Sequence, residues 1–160
     1  MAGLSLIDIL FSNSTHVIDL AFYLGRMPKI MNCYAINNKL LLDENASRMY
    51  TGAGITDKDA LFSYHSIWNA PGRWGVEMLT RKHRLIFRLL EQLHIQKLGS
   101  VEIEKIIIDD SLDIEFKPGI YREVKDFLSG DEKERFLNIH NQLAHCDTYE
   151  LMKTGGCIVG

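Results

Sequence analysis

The segment from residue 73 to residue 99 constrains the fold more than any other part of the sequence. Its apolar side chains recur at alternating spacings of three and four residues, which is the repeat of one face of an α-helix. The positions on this stripe are Val76, Leu79, His83, Ile86, Leu90 and Leu93. The pattern therefore predicts one long helix, central to the core, with His83 packed and hydrogen-bonded on it.

Shorter segments complete the predicted fold. Four further helices are predicted from capping residues and from helix-stopping glycines and prolines, over residues 15–24, 56–68, 120–128 and 131–145. Two β-hairpins are predicted from apolar runs that flank turn residues, pairing 29–36 with 39–43 and 101–108 with 112–116. Gly52 and Gly54 are expected to mark a loop. The predicted fold class is a helix-dominated α+β fold with a helical bundle core, in a single globular domain of residues 1–160.

Composition limits the classes of function. The chain has 160 residues and a net charge of −3, so only a local basic patch could bind nucleic acid electrostatically. The three cysteines Cys33, Cys146 and Cys157 form no Cys-x-x-Cys pair, which favours a reducing, cytoplasmic setting. The sequence predicts no membrane span, and it contains no Walker loop, dinucleotide fingerprint or tight metal-ligand spacing, so no cofactor and no metal are expected.

Polar residues that could carry chemistry concentrate near the C-terminus, in the predicted helix at 131–145. Asn141 and His145 are four residues apart and share one helix face. His140 and His145 are five residues apart and point about 140° from each other. Arg135 lies one to two turns earlier. Asn141, His145 and Arg135 could present an amide, an imidazole and a guanidinium to one polar ligand.

The run His140-Asn141-Gln142-Leu143-Ala144-His145 resembles the Arg-Asn-x-x-x-His motif of the HEPN family (higher eukaryotes and prokaryotes nucleotide-binding domains). The asparagine, the Leu-Ala pair, the histidine and Asp147 match the family pattern, and His140 takes the place of the arginine. The resemblance implies a helical, RNA-binding or metal-independent RNA-cleaving domain of a toxin or defence system. It implies that His145 acts as general acid or base, that Asn141 orients it, that Arg135 or His140 supplies the cation, and that the chain forms a homodimer.

A basic cluster offers a candidate RNA-binding strip. Its residues are Arg73, Trp74, Arg81, Lys82, Arg84 and Arg88. Cations would contact phosphates and the indole would stack on a base. The alternative is the solvated side of an amphipathic helix, whose arginine stems cover the core.

A structural interpretation of the C-terminal segment stands beside the catalytic one. Phe136, Ile139, Leu143 and Ala144 would then form a buried stripe, and His145 would complement the dipole at the end of its helix. In that case we expect a noncatalytic, immunity-type protein that docks on a protein partner through its acidic surface and exposed hairpin edges.

Overall fold

The structure, a computed structural model, describes residues 14–37, 48–67, 70–130 and 136–159. Within these ranges the chain forms four helices and eight strands, and the strands build two antiparallel four-stranded sheets. The predicted helix-dominated fold with a bundle core is therefore wrong, and the protein has a sheet-rich α+β fold. In chain order the elements are α1 (Thr15–Gly25), β1 (Pro28–Asn37), β2 (Arg48–Thr56), β3 (Leu61–Ile67), β4 (Val76–Leu79), β5 (His83–Phe87), β6 (Leu93–Lys97), β7 (Ile103–Lys105), α2 (Ser111–Glu115), α3 (Ile120–Ser129), α4 (Ile139–Thr154) and β8 (Gly156–Ile158).

The chain divides into two compact units. The first unit contains Met1–Gly72 and Ala144–Gly160, and the second contains Arg73–Leu143. The sheet of the first unit has the strand order β3-β2-β1-β8, and that of the second unit has the order β4-β5-β6-β7. Helix α4 begins in the second unit and continues into the first.

One face of the first sheet is packed under helices. Met31 and Cys33 of β1 and Tyr50 of β2 are buried together with residues of α1 and α4. The helices contribute Ile18, Tyr149 and Met152 to this core. Because side chains of a strand point alternately to opposite faces, the neighbouring residues of β1 and β2 point to the other face.

Two glycines in the middle of β2 allow aromatic rings to cover the sheet. The ring of Tyr64 lies over Gly52, and the ring of Phe62 lies over Gly54, each from the neighbouring strand β3. A Cβ atom at residue 52 would lie 2.5 Å from Cε1 of Tyr64 and 2.6 Å from the backbone oxygen of Asn32. The predicted loop at these glycines is wrong, because here glycine makes room for a cross-strand aromatic ring.

Substitution of Gly52 tests this packing. Gly52→Ala should lower the free energy of unfolding by about 1–3 kcal/mol, because the new methyl group must displace the ring or the carbonyl. Gly25→Ala is the matched control, since nothing lies within 4 Å of a Cβ at that position and alanine favours a helix more than glycine does. Chemical denaturation of both variants measures the difference, and wild-type stability of Gly52→Ala would contradict the close approach.

The predicted helix at 73–99 is wrong, since this segment forms β4, β5 and β6. Each of these strands carries a pair of apolar residues two positions apart, which is the repeat of a strand. The pairs are Val76 and Met78, Leu85 and Phe87, and Leu93 and Ile95. A tight turn separates the first two strands: the Thr80 hydroxyl accepts the backbone N–H of His83 at 2.9 Å. The predicted stripe combined residues of both sheet faces, because Val76 lies opposite Phe87 on one face, whereas Leu79 and Ile86 lie on the other.

Other expectations have mixed outcomes. The helices predicted at 15–24 and 120–128 are confirmed as α1 and α3, and the strand predicted at 29–36 is confirmed as β1. Two predictions are wrong, because 61–67 forms β3 rather than a helix, and 111–115 forms α2 rather than a strand. Residues 39–43 and 131–135 lie outside the described residues, and the bounds of the helix predicted at 131–145 are wrong, because α4 begins at Ile139 and ends at Thr154.

Candidate functional site

A polar cluster joins α1 to α4 in the first unit. The Asp19 carboxylate of α1 accepts a hydrogen bond from the Tyr149 hydroxyl of α4 through its Oδ1 atom. The same oxygen lies 3.0 Å from Nδ1 of His145. The ring of Phe22 meets the imidazole edge to face at a centroid distance of 5.6 Å. One carboxylate oxygen thus holds two side chains that are one turn apart on α4.

Burial decides what this cluster can do. Tyr149 is 0% exposed and His145 is 8% exposed. Burial and the neighbouring Asp19 carboxylate raise the pKa of Tyr149 above its usual range, so the phenol stays a neutral hydrogen-bond donor. An imidazole oriented by a carboxylate is the arrangement of a general base. Here it is nearly closed to solvent, which limits access by a polymer such as RNA.

The other residues of the C-terminal motif lie in a different environment. His140 and Asn141 are exposed in the first turn of α4, and the Asn141 backbone N–H is capped by Oδ1 of Asn138 at 2.9 Å. His140 and His145 point about 140° apart on the helix. Arg135 lies outside the described residues. The fold therefore brings His145 together with Asp19 and Tyr149, and sets His140 on a different side of the helix.

The expected buried stripe through the start of α4 is also wrong. Ile139 is 67% exposed and Leu143 is 58% exposed, and Ala144 is exposed as well. The buried side of α4 begins at His145 and continues through Thr148, Tyr149 and Met152, because these positions face the first sheet.

Removing the Tyr149 hydroxyl tests the role of the cluster in stability. Tyr149→Phe should lower the free energy of unfolding by about 1.5–3 kcal/mol, the range for a hydrogen bond to a charged group. Tyr23→Phe on the exposed side of α1 is the control, and we expect it to change stability by less than about 0.5 kcal/mol. Equal stability of the two variants in urea denaturation would show that the carboxylate does not depend on this donor.

The candidate RNA-binding residues lie on strands and turns of the second unit. Arg73 and Trp74 precede β4, Arg81 and Lys82 lie in the turn before β5, Arg84 lies in β5, and Arg88 follows it. The Arg84 guanidinium donates to Oε2 of Glu77, and Arg88 lies 3.9 Å from Oε1 of the same carboxylate. Because no helix forms here, the proposed strip along a helix back does not exist, and binding of RNA by these side chains stays a prediction.

The largest feature that the sequence reading missed is the side of the first sheet that faces away from α1 and α4, which we call the outer face. Along β3 the exposed positions alternate strictly with the partly buried ones. Leu61 is 83% exposed, Tyr34 67% and Ile36 56%. The strand registers place these residues on the outer face: Ile30, Asn32, Tyr34, Ile36, Met49, Thr51, Ala53, Ile55, Leu61, Ser63, His65, Ile67 and Cys157.

None of the side chains of the outer face is an aspartate, glutamate, lysine or arginine. A signal for it is present in the sequence: residues 30–37, 49–56 and 61–67 contain no charged residue. This signal could be interpreted only with the strand registers, because the buried and the exposed positions of these strands are equally uncharged.

The cysteines do not form a common site. Burial raises the pKa of the Cys33 thiol, so it packs as a neutral group in the core. Cys157 belongs to the outer face, and Cys146 is partly buried beside the core. Among the described residues there is no group of three or more histidine, cysteine, aspartate or glutamate side chains placed to hold a metal ion.

No described helix combines the length and the apolar character that crossing a membrane requires. Comparison with known proteins identifies no relative: no family model, no curated protein and no solved structure matches the chain.

Proposed function

We propose that the chain is a noncatalytic protein-interaction protein, and that the outer face is the surface through which it binds another polypeptide. The single observation that carries this proposal is a sheet face, formed by β1, β2 and β3 with Cys157 of β8, that is largely exposed, rich in apolar side chains and without aspartate, glutamate, lysine or arginine.

The extent of the exposed apolar surface supports an interaction role. Single exposed apolar residues are normal on a protein surface, whereas a contiguous patch marks a binding site. Tyr34 and Ile36 on β1 and Leu61 on β3 are each more than half exposed, and they lie on the same face of one sheet, with β2 between the two strands. Burial of this patch against a partner would release apolar surface from water, which drives association.

The composition of the outer face supports the same role. The central part of a protein interface is depleted in charged residues and enriched in aromatic and apolar ones. Tyr34 provides a rigid aromatic ring at the centre of the face, next to Thr51 on β2. Short uncharged side chains such as Ala53 and Ser63 leave the sheet open to close approach by a partner.

The closed state of the polar cluster supports a noncatalytic role. A general base needs contact with its substrate, but His145 and Tyr149 are both buried, and they share one carboxylate oxygen. In this arrangement the cluster connects α1 to α4. The outer face on the opposite side of the sheet takes no part in that connection.

Site-specific photo-cross-linking tests the interaction role. Tyr34 is replaced by the photoreactive residue p-benzoylphenylalanine, and a matched protein carries the same replacement at Tyr23. Both tyrosines are 67% exposed, so a difference between them reports contact rather than exposure. After irradiation of cells that produce the protein, we expect a discrete adduct for position 34 and none for position 23.

An adduct supports the proposal only if its partner binds the purified chain at a defined stoichiometry and loses affinity for the Tyr34→Lys variant. Absence of any adduct at position 34, or equal labelling at both positions, would contradict the proposal.

RNA cleavage is the second candidate function, and one observation favours it: the imidazole of His145 is paired with the Asp19 carboxylate, as in many general bases. If the protein cleaves RNA, purified chain degrades RNA without added metal, and His145→Ala abolishes the activity. His94→Ala in the second unit serves as the control. Because His145 is buried, circular dichroism of its variant must match the wild type. Inactive wild-type protein would exclude this candidate.

A further inference from the structure

We infer that the polypeptide bound by the outer face is a second copy of this chain, packed outer face to outer face about a two-fold axis. This inference rests on the proposed function and names its partner. The observation behind it is the order in which apolar and polar rows of side chains follow one another along the strands. This order is the same when read from either end of the strands.

The rows run across the strands, perpendicular to the chain direction. At one end of the sheet Ile30, Ile55 and Leu61 lie side by side, and at the other end Ile36, Met49 and Ile67 do so. Both of these end rows are entirely apolar.

The two middle rows carry the polar groups of the outer face. One row places Tyr34 beside Thr51 and His65, and the other places Asn32 beside Ala53, Ser63 and the Cys157 of β8. Along the strands the order is therefore apolar, polar, polar, apolar.

This palindromic order makes the outer face complementary to itself. A two-fold axis between two stacked sheets brings each row either onto its own copy or onto the row at the mirrored position. In both cases apolar rows meet apolar rows and polar rows meet polar rows.

The polar groups of the middle rows suit contact with identical groups. The hydroxyls of Tyr34, Thr51 and Ser63 and the amide of Asn32 can each donate and accept hydrogen bonds. Carboxylates only accept and ammonium groups only donate, so a face built from them would repel its own copy. The three hydroxyls and the amide of these rows can therefore each find a partner in the second copy.

The lack of formal charge on the outer face also favours contact between two copies. At −3 per chain, two copies repel each other, and like charges brought together at an interface oppose association. The outer face contains no formally charged residue. Two copies can thus approach through it without placing like charges in contact.

The size of the outer face suits a small dimer interface. Strands lie ~4.8 Å apart and rise ~3.3 Å per residue, so the three long strands, about seven residues each, cover roughly 14 Å by 23 Å, and β8 adds only Cys157. Two such faces cover roughly 650 Å² before the relief of the side chains is added. This places the contact at the low end of protein interfaces, among those of weak affinity.

Sedimentation equilibrium of the purified full chain tests the inference. We expect wild-type protein to sediment at twice the mass of one chain, with a dissociation constant in the micromolar range. Tyr34→Lys should raise that constant at least about tenfold, because each copy would bury an unpaired ammonium group. Tyr23→Lys, which adds the same charge at an equally exposed tyrosine of α1, should leave it unchanged. Ile36→Thr keeps a β-branched residue in β1 and should weaken the dimer less than Tyr34→Lys does.

The outcomes separate this inference from the proposed function. Monomeric wild-type protein at ~100 µM, or an equal effect of the two lysine variants, overturns the self-association. If the position-34 cross-link then joins a different protein that binds stoichiometrically, the interaction role stands and only the identity of the partner is wrong. If position 34 also gives no adduct, both proposals fail.

Discussion

The shared use of one carboxylate oxygen is the interaction on which the first unit depends. Asp19 accepts from the Tyr149 hydroxyl and lies within hydrogen-bond distance of His145, so α1 and α4 are fixed to each other over the same side of the sheet. The apolar core with Met31, Cys33 and Tyr50 lies beneath them. Both helices occupy one side, and among the described residues no helix packs on the opposite side of the sheet. The packing of the polar cluster and the exposure of the outer face are thus two consequences of one arrangement.

This asymmetry supports the proposal that the chain binds a partner rather than catalyses a reaction. The imidazole of His145, the phenol of Tyr149 and the carboxylate of Asp19 interact with one another and hold α1 and α4 together. The outer face of the same unit carries mainly hydroxyls, an amide and aliphatic side chains, with His65 and Cys157 among them and no carboxylate beside them on that face. An apolar face of this extent is costly to leave in water, and a second copy with the same order of rows covers it without introducing a charge.

The sequence predicted elements whose signals are local, and failed where the signal depends on strand pairing. Helices α1 and α3 follow from their apolar spacing and end signals, and β1 from its apolar run. The helix predicted at 73–99 is wrong because apolar residues on both faces of β4 and β5, which the turn at Thr80 joins, together have the spacings of a helix. The loop predicted at Gly52 and Gly54 is wrong because the rings of Tyr64 and Phe62 that cover these glycines come from another strand. The carboxylate partner of His145 is 126 residues away, and no local pattern connects the two.

Hydroxyl-radical footprinting of Tyr34 and Tyr23 across a concentration series tests the central claim most directly, since it reads the outer face in the unmodified protein. Both side chains are 67% exposed in the single chain, so their oxidation rates should be similar in dilute solution. We predict that the rate at Tyr34 falls as the concentration rises while the rate at Tyr23 stays constant. A constant ratio of the two rates from dilute to concentrated protein would contradict the claim that the outer face is covered by a second copy.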